Sequence, residues 1–355
     1  MGSMWHTPPG GERGGRALVA AAPSSQDAVR TGRRRVTFEV LMTAEGMKEI
    51  GEEAARHATI HKLWLQPDKE AFLTEVGPRI RGILGGMSHG RIDPAFMSKL
   101  PNLEIVASFG VGYDHVDAAW AGQHGIVVTN TPGVLDAETA DIGMALTLMA
   151  VRRLPQAEQY LRQGRWAKEG HFPLSASLRG RTMGILGLGR IGKEIAKRAS
   201  AFGVEVVYHG RRPQADAPYL YYPTLIGMAK NVDILMVSAP AGPDTRHIVN
   251  REVLAALGPE GFLINIARGA LVDQEALIEA LQKRTILGAG LDVFENEPEV
   301  PQALIDLDNV ALLPHVGSAS RHTRLAMARL TVANLVSWIE GKGPITPVAE
   351  TPWKG

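Results

Sequence analysis

Residues 184–192 read GILGLGRIG, a turn with the spacing G-x-G-x-x-G that joins an apolar segment to the start of a helical one. Between a strand and a helix, the first glycine permits a tight turn, and the second lets a pyrophosphate approach the backbone. The third allows close packing of the helix on the strand, and the helix N-terminus faces the phosphates. The pattern predicts a dinucleotide site, although a glycine turn without a ligand would look the same. The predicted contacts are Gly187, Gly189, Arg190, Ile191 and Gly192.

The next predicted strand ends in EVVYHGRR, residues 205–212, where a dinucleotide domain usually carries an acidic residue. Nothing acidic lies between Val206 and Ala215. An acidic side chain binds the ribose hydroxyls and repels a 2′-phosphate, whereas arginine attracts that phosphate. The loop therefore favours NADP(H) over NAD(H), unless its arginines are only solvated surface. The residues predicted to bind this end of the cofactor are His209, Gly210, Arg211 and Arg212.

Short apolar segments alternate with helical segments on both sides of this unit. Such alternation, with Val and Ile runs bounded by Gly and Pro, predicts parallel sheets covered by helices. We therefore expect the α/β class, with two Rossmann-like, doubly wound domains and an active site in the cleft between them. Upstream strands are predicted in VTFEVLM (36–42), IRGILGG (80–86), LEIVASFG (103–110) and IVVTNTPG (126–133). Six more are predicted from residue 181 onward, within RTMGILGLG, EVVYHG, DILMVSAP, GFLINIAR, GAGLDVF and NVALLPH.

The final helical segment indicates how the chain divides into domains. It runs from Arg321 to Gly341, and we expect a helix of this length to return to the first domain. The stretch from Arg153 to Arg181 is predicted to be irregular. The predicted regions are a disordered extension over 1–35 that begins like a tag, a flavodoxin-like substrate domain over 36–131 plus 317–345, and an NADP-binding domain over 132–316.

The composition of the chain excludes several classes of function. Its 355 residues are enough for two ordinary domains, and a net charge of +1 gives no case for nucleic acid or an acidic membrane as partner. No apolar run approaches the roughly 20 residues of a membrane span. There are no cysteines, so a disulfide scaffold, a thiolate nucleophile and cysteine-ligated metals are excluded. We predict no metal site and a cytoplasmic location.

Three ionisable residues lie just after predicted strands of the second series. Arg268 follows LINIA, His315 follows NVALLP, and Glu297 lies in the acidic loop DVFENEPEVP. Doubly wound sheets place their ligands at the carboxyl ends of strands, so these positions indicate a site. Taken one at a time, each residue could equally be a helix-flanking charge, a loop acid or a loop histidine without a catalytic role.

Taken together, these segments resemble the family of D-isomer-specific 2-hydroxyacid dehydrogenases. The match runs from about residue 80 to 347 and rests on GLGRIG, INIARGALVD, GAGLDVFENEP and NVALLPHVGSA, in the family's order and spacing. The resemblance implies that Arg268 binds the carboxylate and carbonyl oxygen of a 2-keto acid, that His315 is the acid and base, and that Glu297 holds it. These residue types suit the chemistry, because hydride attack leaves charge on the keto oxygen and a histidine beside a carboxylate can supply a proton.

The resemblance also implies contacts for the substrate and the cofactor. The substrate carboxylate would meet backbone N–H groups of two glycine-containing loops, GGMSHG (85–90) and SFGVGYD (108–114). The implied substrate residues are Met87, Ser88, Val111, Gly112 and Arg268. The further implied cofactor residues are Thr139, Ala239, Pro240, Thr245, Ile266, Asp292 and Gly317.

Within the family, the segments TNTPGVLDAETAD, RQGRW and VYHGRRP are similar to the glyoxylate/hydroxypyruvate reductases, including the hydroxyphenylpyruvate reductases. This similarity implies NADPH-dependent reduction of glyoxylate, hydroxypyruvate or phenylpyruvate-type acids to D-2-hydroxy acids. It also implies a homodimer through residues 137–181, in which Trp166 matches a residue that reaches the partner's active site in some members. The alternatives are a phosphite or phosphoglycerate dehydrogenase of the same family, and a non-catalytic, dinucleotide-sensing protein like the family's corepressors.

Overall fold

The protein is described by a computed structural model, which covers residues 37–86 and 90–353. Within these ranges the strands form two parallel sheets, one of five strands and one of seven, with helices packed on them. This arrangement confirms the predicted α/β class with two parallel-sheet domains. The extension predicted for residues 1–35 lies outside the described residues. No helix in the described part of the chain is both long enough and apolar enough to span a membrane.

The first sheet is built from strands β1 Glu39–Met42, β2 Thr59–Lys62, β3 Ile80–Gly86, β4 Ile105–Phe109 and β5 Val127–Thr129. Their spatial order is β2-β1-β3-β4-β5, so the direction of winding reverses between β1 and β3. In such a sheet, ligands bind beyond the carboxyl ends of the strands at that reversal. The helices between these strands are α1 Lys48–Ala54, α2 Lys69–Val76, α3 Pro94–Met97 and α4 Ala118–Gln123.

The second sheet is built from strands β6 Thr182–Leu186, β7 Glu205–His209, β8 Leu220–Tyr222, β9 Ile234–Val237, β10 Phe262–Asn265, β11 Gly288–Leu291 and β12 Val310–Leu312. Their spatial order is β12-β11-β10-β9-β6-β7-β8, so the winding reverses between β6 and β9. The helices from residue 136 onward are α5 Asp136–Arg152, α6 Leu154–Arg162, α7 Arg165–Glu169, α8 Arg190–Ala201, α9 Leu225–Ala229, α10 Arg251–Leu257, α11 Gln274–Gln282, α12 Gln302–Ile305 and α13 Arg321–Ile339.

The central strands of the second sheet are buried on both faces. All four residues of β9 and all four of β10 are buried, which explains their continuous apolar sequences. On one face, Met144 of α5 and Ile195 of α8 belong to the core. On the other face, Leu254 of α10 and Leu277 of α11 do so. These two cores fix the strands whose carboxyl ends carry the predicted site residues.

Helix α13 packs on the first sheet although it follows the last strand of the second. Its residues Val332 and Leu335 share a core with Ile105 of β4. The chain beyond the helix then runs beside β5, where Val348 N–H donates to Val128 O at 2.9 Å. The first sheet is therefore completed by the last part of the described chain.

The sequence does not predict β2, α2, β8, α6 or α7. Strands β2 and β8 lie at sheet edges and are partly exposed, so they lack the apolar run that identifies a central strand. The prediction of an irregular stretch from residue 153 to 181 is wrong for residues 154–169, which form α6 and α7. Tyr160 is the one buried residue of these two helices, and their other large apolar side chains, Leu154, Leu161 and Trp166, are exposed, so the helices present no apolar face to the core of either sheet.

Candidate active site

The glycine turn lies at the carboxyl end of β6, where the winding of the second sheet reverses. Gly187 has a φ of +95°, and a Cβ there would lie 2.6 Å from Cα of Ala239. A Cβ on Gly192 would lie 2.4 Å from the carbonyl oxygen of Gly187. Backbone packing therefore requires glycine at both positions. A Cβ on Gly189 would meet no heavy atom of the described residues within 4 Å, so this glycine borders open space.

Helix α8 begins directly after that open glycine, with Arg190 and Ile191 in its first turn. No side chain of the described residues caps its N-terminus. Uncapped N–H groups and the helix dipole favour an anion at this point. Arg190 is exposed, and its positive charge opposes the rise that burial causes in the pKa of Asp136. The turn and the helix N-terminus therefore fit the pyrophosphate of a dinucleotide.

The loop after β7 carries the two arginines predicted to select the cofactor. Arg211 and Arg212 are exposed and make no hydrogen bond or ion pair with any residue in the described ranges. The backbone beside them is held in place, because the N–H of Gln214 donates to Tyr208 Oη at 2.7 Å. The Gln214 side-chain amide donates to Leu188 O at 2.7 Å, which ties the loop to the glycine turn. The loop is thus fixed while both guanidinium groups stay accessible to an anion.

His209 and Gly210, which precede these arginines, are supported by the edge strand β8. His209 Nδ1 lies 2.8 Å from Tyr222 O. Tyr221 Oη donates a hydrogen bond to Gly210 O at 3.1 Å. Because the sequence does not predict β8, nothing in its pattern indicates this support.

The other implied cofactor residues lie at the carboxyl edge of the second sheet or beside it. Gly317 lies between two of them, since a Cβ on it would be 3.0 Å from Asp292 Oδ2 and 3.4 Å from Thr139 Cγ2. The residues that follow β9 and β10 are Ala239, Pro240, Thr245 and Ile266.

Arg268 follows β10, and its guanidinium meets the loop after β4 of the first sheet. Nε donates to Asp114 Oδ1 at 2.9 Å, and Nη1 donates to Ala267 O at 2.8 Å. A Cβ on Gly112 would lie 1.8 Å from Nη2, so a glycine is needed for the guanidinium to lie there. The structure brings Gly112 and Arg268 together and adds Asp114, which the sequence analysis does not single out.

The remaining implied substrate residues belong to the two loops of the first sheet. Met87 and Ser88 lie outside the described residues. The carbonyl oxygen of Val111 accepts a hydrogen bond from Asn130 Nδ2 at 2.8 Å. Because Asn130 directly follows β5, this contact anchors the loop that meets Arg268.

Gly269, the residue after Arg268, packs against the acidic loop that carries Glu297. A Cβ on Gly269 would lie 1.9 Å from the carbonyl carbon of Phe294, and 2.3 Å from the backbone nitrogen of Glu295. The two loops can pack this closely only with a glycine next to Arg268. The sequence shows this glycine but not the loop it packs against, which is why its role is missed.

Glu297 and His315 form a hydrogen-bonded pair. Glu297 Oε2 lies 2.6 Å from His315 Nδ1, and Glu297 Oε1 accepts the N–H of Phe294 at 3.0 Å. An ionised carboxylate only accepts hydrogen bonds, so Nδ1 carries the hydrogen. No residue in the described ranges is hydrogen-bonded to Nε2. The pair therefore presents a nitrogen that can exchange a proton with another molecule.

The backbone of His315 is held in an unusual conformation by Asp292. Its φ is +53°, a region that residues other than glycine rarely adopt. His315 N–H donates to Asp292 O at 2.9 Å. The carboxylate of the same aspartate accepts Val316 N–H at 2.7 Å and Gly317 N–H at 2.8 Å. Burial raises the pKa of Asp292 above its ordinary value, against the effect of these two donors.

Glu297 interacts electrostatically with both His315 and Arg268. Burial acts to raise the pKa of its carboxyl group, but the hydrogen bonds from His315 and Phe294 N–H oppose this. The electrostatic attraction of His315 and Arg268 also opposes it, and the resulting pKa of Glu297 lies below the ordinary value. Glu297 is therefore ionised at neutral pH and can balance a positive charge on the imidazole.

The segment around Trp166 exposes large apolar side chains. Trp166 of α7 is 58% exposed, Leu161 of α6 is 56% exposed and Leu174 is 99% exposed.

A cavity of about 330 Å³ with mostly apolar walls, including Phe294 and Ile305, opens beside the Glu297–His315 pair. Apolar surface of this kind often marks contact with a partner or a ligand.

Several known proteins are similar to this chain in sequence or in structure. Residues 144–317 match the D-isomer specific 2-hydroxyacid dehydrogenase, NAD binding domain. The chain is 46% identical to glyoxylate/hydroxypyruvate reductase A of Arabidopsis thaliana and 44% identical to hydroxyphenylpyruvate reductase of Plectranthus scutellarioides, each over 87% of this chain and 98% of the relative. It is similar in structure to the NADPH-dependent glyoxylate/hydroxypyruvate reductase of Sinorhizobium meliloti in complex with NADP and malonate. That match has a TM-score of 0.85 and 50% identity, and covers 90% of this chain and 99% of the other.

Proposed function

Because the chain belongs to the family of D-isomer-specific 2-hydroxyacid dehydrogenases, we propose that it reduces small 2-keto acids to D-2-hydroxy acids with NADPH. Glyoxylate and hydroxypyruvate are the first candidates, and phenylpyruvate-type acids are larger ones. The observation that carries the proposal is the hydrogen-bonded pair of Glu297 and His315, whose Oε2 and Nδ1 atoms lie 2.6 Å apart. Glu297 also interacts electrostatically with Arg268. The relatives named as reductases of glyoxylate, hydroxypyruvate and hydroxyphenylpyruvate support the substrate class.

In this mechanism His315 supplies the proton for the keto oxygen. Its Nδ1 donates to Glu297, so Nε2 of the protonated ring is the atom that gives the proton. The ionised Glu297 stabilises the imidazolium before transfer and fixes the plane of the ring. After the reaction the alcohol carries the proton, the imidazole is neutral, and a proton from solvent restores it.

Arg268 binds the carboxylate of the 2-keto acid and polarises the keto oxygen. Its planar guanidinium offers several N–H donors in one plane, which suits a carboxylate. Gly112 leaves room for that plane at the loop of the first sheet. The substrate is thereby held between the arginine of one sheet and the loop of the other.

The residues that lie where the winding of the second sheet reverses, between β6 and β9, fit NADPH. The open glycine at 189 and the uncapped start of α8 would hold the pyrophosphate, and Arg211 with Arg212 would hold the 2′-phosphate. Bound NADPH supplies the hydride for the keto carbon. The residues that would line the rest of the cofactor are Thr139, Ala239, Pro240, Thr245, Ile266, Asp292 and Gly317.

A steady-state screen tests this function directly. Glyoxylate, hydroxypyruvate, pyruvate and phenylpyruvate are each assayed with NADPH and with NADH in parallel. We expect the highest kcat/KM for glyoxylate or hydroxypyruvate with NADPH. A tenfold preference for NADH would contradict the role of the arginines, and NADPH binding without turnover of any of the four acids would contradict the reductase.

We also propose that the chain forms a homodimer through residues 137–181. The exposed Leu161, Trp166 and Leu174 support this, because a surface with so much apolar area is favourable to cover. Light scattering of wild type and of a Leu161→Ser, Leu174→Ser double variant tests it. Dimer mass for the wild type and monomer mass for the variant are expected, and a monomeric wild type would refute the assembly.

A further inference from the structure

We propose that Asp114 is a positioning residue that fixes the guanidinium of Arg268 for the substrate carboxylate. The inference rests on the proposed function, in which Arg268 is the carboxylate-binding group. It adds a residue of the first sheet to a reaction centre whose ionisable groups otherwise come from the second.

The contacts of Asp114 determine the orientation of the arginine. Asp114 Oδ1 accepts from Nε at 2.9 Å, and Ala267 O accepts from Nη1 at 2.8 Å. Two acceptors on different nitrogens of a planar group fix both the position and the tilt of that plane. Gly112 limits the remaining movement, because its backbone lies directly against Nη2.

The loop that carries the carboxylate is itself held. Asn130 Nδ2 donates to Val111 O at 2.8 Å, three residues before Asp114. Arg268 is 23% exposed and Asp114 is 43% exposed, so the ion pair lies at the edge of the site and not in bulk solvent. Without the acceptor at Nε, a partly buried guanidinium would be held less tightly in its plane and would sample additional orientations, some of which would misplace its donors.

Charge alone would lead to the opposite expectation. A carboxylate beside Arg268 reduces the net positive charge that an anionic substrate meets, so removing it should strengthen binding if attraction were all that mattered. If orientation dominates, removing it should weaken binding. The direction of the change therefore distinguishes a positioning residue from a charge that merely neighbours the site.

The test uses the full chain assayed at saturating NADPH, and malonate as a non-reacting dicarboxylate probe. Its inhibition constant against glyoxylate is measured for wild type, Asp114→Ala, Arg268→Ala and the double variant. We expect Asp114→Ala to raise the malonate constant and the KM for glyoxylate about tenfold or more, since a hydrogen bond to a charged group is lost. Asp114→Asn, which keeps an acceptor oxygen, should lie between Asp114→Ala and wild type.

The double variant shows whether Asp114 acts through the arginine. If it does, the double variant is no worse than Arg268→Ala alone, because the effects of coupled residues do not add. Tyr113→Phe is the matched control, since its hydroxyl contacts Glu350 and not the arginine, and its malonate constant should stay within twofold of wild type. NADP affinity, measured by fluorescence titration, should be unchanged in all variants.

Each failure has a distinct meaning. Tighter or unchanged malonate binding in Asp114→Ala, or additive losses in the double variant, would overturn the positioning role while leaving the proposed function intact. Unchanged malonate binding in Arg268→Ala would instead contradict the proposed function itself. Loss of NADP affinity in Asp114→Ala would show that the residue supports the fold of the site as a whole, which also overturns the proposal.

Discussion

Two groups of arginines in this chain are proposed to bind anions, and their surroundings differ. Arg211 and Arg212 are exposed and pair with no residue of the described ranges, while hydrogen bonds from Gln214 hold the backbone beside them. Arg268 is partly buried, and its own guanidinium is held by Asp114. An exposed cation is stabilised by water when its ligand is absent, whereas a cation that is partly withdrawn from water gains more from a protein acceptor. The arginines proposed to bind the cofactor therefore depend on a fixed loop, and the arginine proposed to bind the substrate depends on its fixed guanidinium.

We expect substitutions in the proposed reaction centre, which contains Arg268 and His315, to lower activity more than substitutions of Arg211 or Arg212. His315→Ala should have the largest effect. Loss of the proposed proton donor is expected to lower kcat/KM about a thousandfold, within the range for general acid–base catalysis. His61→Ala is the matched control, because His61 also pairs with a carboxylate, Glu39, at 2.7 Å but on an edge strand of the first sheet. Steady-state kinetics at neutral pH measure both. Full activity of His315→Ala would rule out the mechanism.

Arg268→Lys separates the charge of the arginine from its shape. Lysine keeps the positive charge but loses the planar arrangement of donors, so neither the contact with Asp114 nor a two-point contact with a carboxylate can be maintained. We expect kcat/KM for glyoxylate to fall about a hundredfold, equivalent to one or two charge-assisted hydrogen bonds. The KM for NADPH serves as the internal control and should change less than threefold. Wild-type kinetics for the lysine variant would mean that charge alone is sufficient.

Arg211→Ala tests the exposed group and should act on one cofactor only. The KM for NADPH is expected to rise about tenfold, since one charged hydrogen bond to the 2′-phosphate is lost. The KM for NADH should not change, because NADH lacks that phosphate. Arg329→Ala, an exposed arginine on α13, is the control for loss of a surface charge. Equal effects on NADPH and NADH would show that Arg211 does not recognise the phosphate.

The parts of the fold that the sequence predicts are those whose apolar pattern is complete. Strands β9 and β10 are buried on both faces and read as continuous apolar runs, whereas the edge strands β2 and β8 do not. The glycine spacing likewise predicts the turn, because the three glycines form a recognisable local pattern. Contacts between residues that are distant in the chain form no such pattern. Asp114 and Arg268 are 154 positions apart, and no periodicity connects them.

Gln214→Ala weakens the support of the exposed arginines without removing them. The side-chain hydrogen bond to Leu188 is lost while the one from the backbone N–H to Tyr208 remains, so the loop becomes looser but stays in place. We expect the KM for NADPH to rise about threefold, in the range of one neutral hydrogen bond, with the KM for NADH unchanged. Tyr208→Phe removes the other contact and should give a change of similar size. No change in either variant would mean that the arginines need no fixed loop.

The smallest expected effect is on stability, and it comes from the ion pair between Asp114 and Arg268. Burial acts to raise the pKa of Asp114, but the charge and the hydrogen bond of Arg268 oppose it, and the resulting pKa lies below the ordinary value of 3.8. A carboxyl group whose pKa is lower in the folded than in the unfolded chain stabilises the fold above the unfolded pKa, and this contribution disappears as the pH falls through the folded value. Since Asp114 is 43% exposed, the contribution should be below about 1 kcal/mol. Asp114→Asn should therefore lower the Tm by no more than about 2 °C at pH 5 to 7, and the gap should close below about pH 3.8. A gap that persists or widens in acid, measured by thermal melts across this range, would show that Asp114 is not held ionised by the arginine.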